Sequence, residues 1–457
     1  MKPAAFTASP PPAPAPIMSE LRVALIGALM VMLGPISLAM YTPAMPTLVS
    51  AFDTTPATVK LTLTVFFLGF AFSQLACGPL SDAFGRRPVA LAFFGIYMVG
   101  ALVATWAPTM GWLILGRALQ GVGCAAGIAI SRAIVRDQYT GQASAHIMNL
   151  IGTMLAIGPA VSPTLGGIIL GAAGWHMIFV AMAVYGAALL VLLAFFVPET
   201  NAARDSSLAS PVGIAKSYAR LLSDRTFMRA SVALGGGLGA IYTLTALLPF
   251  VLIQQVGLTP TQFGLAMLAQ TGSFMCGTLI AGRLLKRMGA AEMVPIGLVL
   301  VLAGAAGLGI GLRLWPATTL TVMGPIGLWA CGIAMLLPGC TTAALAGFPT
   351  IAGAASALMG FMQIGGGFLG TAVAVLFPSP LTALTTLLPL MAMVAAAGHV
   401  LLGPRLAHPH GAAHAPVDHP AAPPLDDAPE LELAADPLGV VGASGEEIEL
   451  EARARRD

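Results

Sequence analysis

Charge is what this chain lacks. Only 9% of its 457 residues are Asp, Glu, Lys or Arg, while 57% belong to the hydrophobic set and the mean hydropathy is +0.88. A soluble domain charges about a quarter of its residues to keep its surface wet, so that class is excluded. In lipid the outward surface must be apolar, and the composition inverts. Cysteine is scarce too. Cys77, Cys124, Cys276, Cys331 and Cys340 all fall in apolar stretches and form no C-x-x-C pair. They read as small helix-packing residues, and a disulfide framework or a thiolate metal site is not indicated. Residues 1–19 are rich in Pro and Ala and lack a basic start leading into an apolar core. That excludes a secretory signal peptide and reads as a disordered extension.

What is present is a series of apolar runs of about 20 residues, the length that crosses the hydrocarbon core as a helix. Twelve are expected, at roughly 22–47, 58–79, 88–107, 110–132, 144–172, 175–197, 228–253, 261–283, 291–313, 318–345, 352–377 and 380–402. Connections such as Pro108–Thr109 and Ser379–Pro380 leave room for a turn and nothing more. The polar stretch 198–227, with Arg204, Lys216, Arg220 and Arg225, divides the chain into six spans and six.

The positive charges orient these spans, because short cytoplasmic loops retain Lys and Arg. With the N-terminus inside, 18 of the 21 basic residues fall in inside segments, Lys60 and Arg313 fall outside, and Arg117 is left within a span. Both termini are therefore expected in the cytoplasm. The small net charge of +2 hides a basic membrane body and a tail from Gly403 onward with four arginines against eleven acids. His408, His410, His414 and His419 in that tail show no fixed ligand spacing, so it reads as a disordered hydrophilic segment and not a metal site.

An internal repeat supports the division. Gly78-Pro-Leu-Ser-Asp82-Ala-Phe-Gly85-Arg86-Arg87 and Gly282-Arg-Leu-Leu-Lys286-Arg-Met-Gly289 both place glycines seven apart, 204 residues from their counterparts. Two six-helix halves related by an axis along the membrane normal have this kind of repeat.

The first of these loops closely resembles the signature loop of the major facilitator superfamily. Five stretches resemble, more narrowly, the bicyclomycin/chloramphenicol-resistance (Bcr/CflA) group of drug:proton antiporters. They are Ser37-Leu-Ala-Met-Tyr41-Thr-Pro43-Ala-Met-Pro46, Leu61-Thr-Leu-Thr, the Gly78–Pro88 loop, Gly116-Arg117-Ala-Leu-Gln120-Gly121 and Ser162-Pro163-Thr-Leu-Gly166-Gly167. Trp175-His176 and Pro198-Glu199-Thr200 also fall where that group has similar residues. The resemblance covers about 22 to 402. It implies an all-α membrane protein of 12 helices in two pseudo-symmetric halves, 20–197 and 228–402, joined by the linker 198–227 and flanked by the tails 1–19 and 403–457.

The resemblance also implies site roles. Gly78, Asp82, Gly85 and Arg86, with Arg136 and Asp137 as partners, would form a conformational latch holding the halves together when the cavity opens outward; the plain alternative is a solvated turn that fixes topology. Arg117, with Gln120 one turn away, would serve substrate binding or proton coupling. A charge at its depth costs at least about 2.5–3.5 kcal/mol, so it should face the interior or a wet cavity, the alternative being an arginine snorkelling to the outer interface. Gly158, Ser162, Pro163, Gly166 and Gly167 resemble the antiporter motif, small residues that let helices approach closely and a proline that lets one bend. Apart from the resemblance, the uncharged polar and aromatic residues inside spans, Tyr41, Phe66, Phe70, Gln74, Tyr242, Gln270 and Gln363, are candidate cavity residues, with packing or lipid contact the plain alternative for any one aromatic.

Acids are missing where an antiporter needs them. Glu20, Asp53, Asp82, Asp137, Glu199, Asp205, Asp224 and Glu292 lie at or beyond span ends, and Ala39 sits where the group usually has an acid. Coupling to protons therefore rests on the resemblance alone, and no other cofactor is expected. The reading is a monomeric rocker-switch exporter of small drug-like molecules in the bacterial inner membrane, with lipid around it and no nucleic-acid partner. The alternatives are a metabolite uptake or exchange carrier of the same fold, or a facilitator without proton coupling. No span carries the His/Asp/Glu cluster of a membrane enzyme, and a non-transporting sensor has only the polar tail in its favour.

Overall fold

The computed structural model describes residues 16–139, 141–201, 210–285, 287–348 and 351–403. The expectations for the extreme N-terminus and the acidic, His-bearing tail fall outside them.

Every described element is helical, as a chain in lipid requires: backbone N–H and C=O groups there must find partners within their own segment. The first half comprises α1 (Glu20–Ala39), α2 (Met45–Ala51), α3 (Pro56–Phe84), α4 (Arg86–Thr105), α5 (Met110–Gln138), α6 (Gly141–Ala173) and α7 (Trp175–Phe196). The second comprises α9 (Arg225–Pro249), α10 (Pro260–Leu284), α11 (Met293–Ala306), the short α12 (Leu312–Leu314), α13 (Thr319–Ala346), α14 (Ala352–Ala374) and α15 (Pro380–Leu401). Single π-helical turns extend α9 at Phe250–Gln255 and α11 at Gly307–Gly311. Among the described residues 11 helices are long and apolar enough to cross a membrane, and α6 adds the shorter apolar stretch Gly158–Ala173.

Helix starts follow local chemistry. Thr55, Thr259, Thr318 and Ser379 each accept a hydrogen bond from a first-turn N–H, and Pro56, Pro260 and Pro380 occupy the first helical position, where the missing N–H costs nothing.

The repeat appears as packing. In the first half α1 lies on α5 and α6, α3 and α4 on α5, and α4 on α7. In the second half α9 lies on α13 and α14, α10 and α11 on α13, and α11 on α15. Each helix thus reuses its counterpart's neighbours. Two seams join the halves, α3 against α14 and α6 against α10, and the same symmetry exchanges them. Each half has its own apolar core, one around Tyr41, Phe66 and Phe94, the other around Phe227, Phe263 and Trp329. Large apolar side chains such as Phe195 (79% exposed), Leu320 and Leu376 point outward, where lipid is their solvent.

Two expectations change here. The stretch 198–227 contains a helix, α8 (Pro211–Ser223), not merely polar linker. It is one-sided: Leu221 is buried, Tyr218 Oη donates to the Leu75 carbonyl at 3.0 Å, and Lys216 and Arg220 are exposed. Burial pushes the Tyr218 phenol up to about 12. The Gly78–Pro88 segment is not a loop. Helix α3 continues through Gly78 and Asp82 to Phe84, and α4 begins at Arg86. Gly85 alone breaks the chain, at φ +104°, a backbone that only glycine adopts without strain. A Cβ at Gly78 would meet nothing within 4 Å, so no turn requires that glycine.

Candidate functional site

Helix α1 stops at Ala39 and is followed by a 3-10 turn at Thr42–Ala44, so the carbonyls of its last turn need partners from elsewhere. Thr42 Oγ1 donates to the Ala39 carbonyl at 2.8 Å, and Arg117 Nη1, from α5, donates to the Ser37 carbonyl at 3.1 Å. Arg117 is completely buried. Its Nη1 also donates to Gln120 Oε1 at 2.7 Å, and its Cζ lies over the rings of Tyr41 (4.7 Å) and Phe66 (4.4 Å). The guanidinium is thus held inside the first half, not extended toward the interface.

No carboxylate among the described residues lies within ion-pair distance of this cation. Ala39, at the position where an acid would stand, is itself buried. Burying an ion costs several kcal/mol. Two charge-assisted hydrogen bonds at roughly 1.5–3 kcal/mol each and two ring faces at about 2 kcal/mol each offset that cost without an anion. The Nε and Nη2 groups remain buried without a hydrogen-bond partner among the described residues. Around this pair the polar groups are connected. Ser37 Oγ donates to the Leu33 carbonyl at 2.7 Å and meets Tyr97 Oη at 2.6 Å, while Tyr41 Oη meets Thr62 Oγ1 at 2.8 Å.

The structure brings Tyr41, Phe66, Gln120 and Arg117 together, with Phe70 packed 6.1 Å from the Phe66 ring, and places the remaining candidates elsewhere. Gln74 lies on the α3–α14 seam, where a Cβ at Gly360 would come within 2.6 Å of its Nε2, and its Oε1 is buried without a partner among the described residues. Tyr242 of α9 sits 5.5 Å from the Phe67 ring across the same interface. Gln270 is buried in α10 and Gln363 half-buried in α14, and no described hydrogen bond or ring contact joins either to the arginine cluster.

The antiporter-motif residues sit where α6 touches two neighbours. A Cβ at Gly166 would lie 2.1 Å from the Met40 carbonyl oxygen, and one at Gly167 would lie 2.4 Å from that of Pro260. The first contact stays within a half; the second crosses between halves. Gly158 packs against Pro35, and Ser162 Oγ donates to the Gly158 carbonyl at 2.6 Å beside Pro163.

At the other end of the first half, Arg86 gathers carboxylates. It pairs with Asp82, donates to Ser81 Oγ at 2.8 Å, and donates to Asp137 Oδ2 at 2.9 Å. The backbone N–H groups of Arg86 and Arg87 donate to Glu199 at 2.9 and 3.2 Å, so this carboxylate caps the start of α4. Thr200 Oγ1 donates to Asp137 and Asn201 Nδ2 to the Asp82 carbonyl. This network fastens α3, α4, α5 and the chain after α7. The described contacts of this network lie within the first half. Among the described contacts Arg136 takes no part in it; the crossing polar contact nearby is Arg132 Nη1 to Ser356 Oγ, at 3.3 Å.

One group escaped the sequence reading. Lys60, assigned to an outer loop, lies in the second turn of α3, is 2% exposed, and donates from Nζ to the Ala374 carbonyl at 2.8 Å. Arg117 is therefore not the sole cation inside a span. Thr55-Pro56, a cap followed by an N1 proline, sets the helix start two residues before the expected 58 and puts Lys60 a full turn inside it.

The fold of two pseudo-symmetric six-helix halves agrees with the family comparison. The Major Facilitator Superfamily model matches residues 27–371, and the chain belongs to that superfamily of membrane transporters. Among its relatives, the uncharacterized MFS-type transporter YdgK of Bacillus subtilis (strain 168) is 30% identical over 381 residues, covering 82% of this chain and 92% of that protein. The chloramphenicol resistance protein of Pseudomonas aeruginosa is 28% identical over 355 residues, covering 76% and 82%. The xylose transporter XylE of E. coli, in a partially occluded inward open conformation, shares the fold at TM-score 0.65 and 13% identity, covering 84% of this chain and 97% of that one.

Proposed function

We propose that this transporter exports amphiphilic, drug-like small molecules by alternating access, driven by the proton gradient, as a monomer in the bacterial inner membrane with both termini in the cytoplasm. The observation that carries the reading is Arg117: a fully buried cation on the Gly116-Arg117-Ala-Leu-Gln120-Gly121 motif, held by ring faces and carbonyl groups with no acid among the described residues beside it. A group so costly to bury is kept at a functional site inside a membrane. The resistance-named relative at 28% identity supports the drug-like class. The exposed basic residues near the Arg86 end support its assignment to the cytoplasm.

Two measurements test the reading. Cells expressing the chain should tolerate higher concentrations of amphiphilic antibiotics than control cells, and a protonophore should abolish the difference. Proteoliposomes with an imposed pH gradient should accumulate a fluorescent amphiphile only when the gradient is present. Transport that ignores the gradient would convert the reading to a facilitator, and transport of a polar metabolite instead would make it a carrier.

A further inference from the structure

Helix α14 ends at Ala374 and has no basic residue in its last turn. The carbonyls of that turn have no partner inside the helix, and the aligned peptide dipoles leave partial negative charge there. The cation that meets it comes from the opposite half. Lys60 Nζ donates to the Ala374 carbonyl at 2.8 Å and is buried with no other described hydrogen-bond partner and no ion pair. Lys60, Phe67 and Gln74 lie seven apart, on one face of α3, and each meets the opposite half. Phe67 meets Tyr242, and Gln74 meets Gly360 of α14. The end of this seam is therefore a charge resting on the terminus of a foreign helix, and at the same end Gly167 of α6 closes onto Pro260 of α10.

We propose that Lys60 is a positioning residue for transport: by capping the C-terminal end of α14 from the other half it holds the outer end shut, and loss of that cap is required for the outward opening. This rests on the alternating-access reading above. When the halves part at this end, Nζ and the Ala374 carbonyl both gain water, so the contact exists only in outward-closed states. A contact confined to one state biases the equilibrium by the whole of its free energy.

The test is outward accessibility in intact cells. Thr371 lies on the α14 face that carries Gly360, eleven residues on, and is completely buried. Labelling of Thr371→Cys by a membrane-impermeant maleimide, above the signal of the chain with its five native cysteines, reports outer opening. Lys60→Met, of similar length and without charge, is expected to raise the labelling rate roughly 5- to 30-fold, the range for loss of a partly buried cation at a helix C-terminus. Lys60→Arg, which can still cap the carbonyl, should keep it within about twofold of the parent. If Lys60→Met fails to reach the membrane, Lys60→Gln serves, with an intermediate rise expected. Unchanged labelling in the neutral variants, equal opening in Lys60→Arg, or labelling confined to inverted vesicles would overturn the proposal. Export of drug with a gate indifferent to Lys60 removes the gate and leaves the exporter. A responsive gate in a chain that exports nothing removes the exporter and leaves the gate.

Discussion

Arg117 of α5 caps the Ser37 carbonyl of α1 at 3.1 Å, so a charged side chain terminates a neighbouring helix inside the membrane. Lys60 does the same for Ala374 of α14. In both cases the acceptor is a helix-end carbonyl and no carboxylate is involved. The first contact lies within a half, the second between halves, and this difference separates what their substitution should do.

Arg117→Met should abolish export while leaving the protein folded. Removing the cation strands no buried anion, so the large penalty for breaking a buried ion pair does not arise. The apparent melting temperature in detergent should stay within a few degrees of the parent. Resistance retained at the parental level would remove Arg117 from transport.

Asp137→Ala should act on stability instead. It strips Arg86, itself 6% exposed, of its 2.9 Å partner and takes away the acceptor of Thr200. A loss of about 1.5–3 kcal/mol is expected, the value of a hydrogen bond to a charged group. Thermal unfolding measures it; an unchanged midpoint would show that the network is solvated.

Adjacent glycines should give different outcomes. Gly166→Val drives a side chain into the Met40 backbone within the first half, and overpacking of this kind costs about 1–3 kcal/mol, read as a lower unfolding midpoint. Gly167→Val meets Pro260 across the halves, which can move apart. Its midpoint should change little, while maleimide access at Thr371→Cys rises. Equal loss of stability in both would mean that the α6–α10 seam does not open.

Docking of α8 should depend on pH in one window only. The Tyr218 phenol rises from 10.0 to about 12 on burial. Stability from the neutral phenol is then complete below pH 10, where both folded and undocked forms hold the proton, and is lost as pH climbs toward 12. Limited trypsin cleavage near Lys216 and Arg220 should accelerate over that window in the parent, and Tyr218→Phe should remove the pH dependence.

The spans were legible because lipid demands a simple pattern. The observed helices follow the apolar runs and extend past them where polar ends such as Ser81-Asp82 and Arg136-Asp137 continue the helix beyond the hydrocarbon. The Arg117–Gln120 pairing was legible too, since residues three apart share a helix face. What the sequence hid was contact between distant segments. Glu199 reaches the start of α4 across more than a hundred residues, and Lys60 reaches Ala374 across 314. Lys60 was misplaced because a cation so near a span end counts with the outer loop when only loop charges are tallied, although the expected span already began at 58. Gly78 drew attention by spacing, yet sits in open space within a continuous helix. α8 was missed because a short one-sided helix has no long apolar run.

Among the described residues the two buried, unpaired charges, Lys60 and Arg117, are both positive. A membrane voltage pulls an elementary charge crossing its full span by about 2.3 kcal/mol per 100 mV. Any rocking that shifts these two cations the same way along the field is therefore biased in a single sense, with no buried anion among the described residues to cancel it, and the resting potential itself becomes a weight on the cycle.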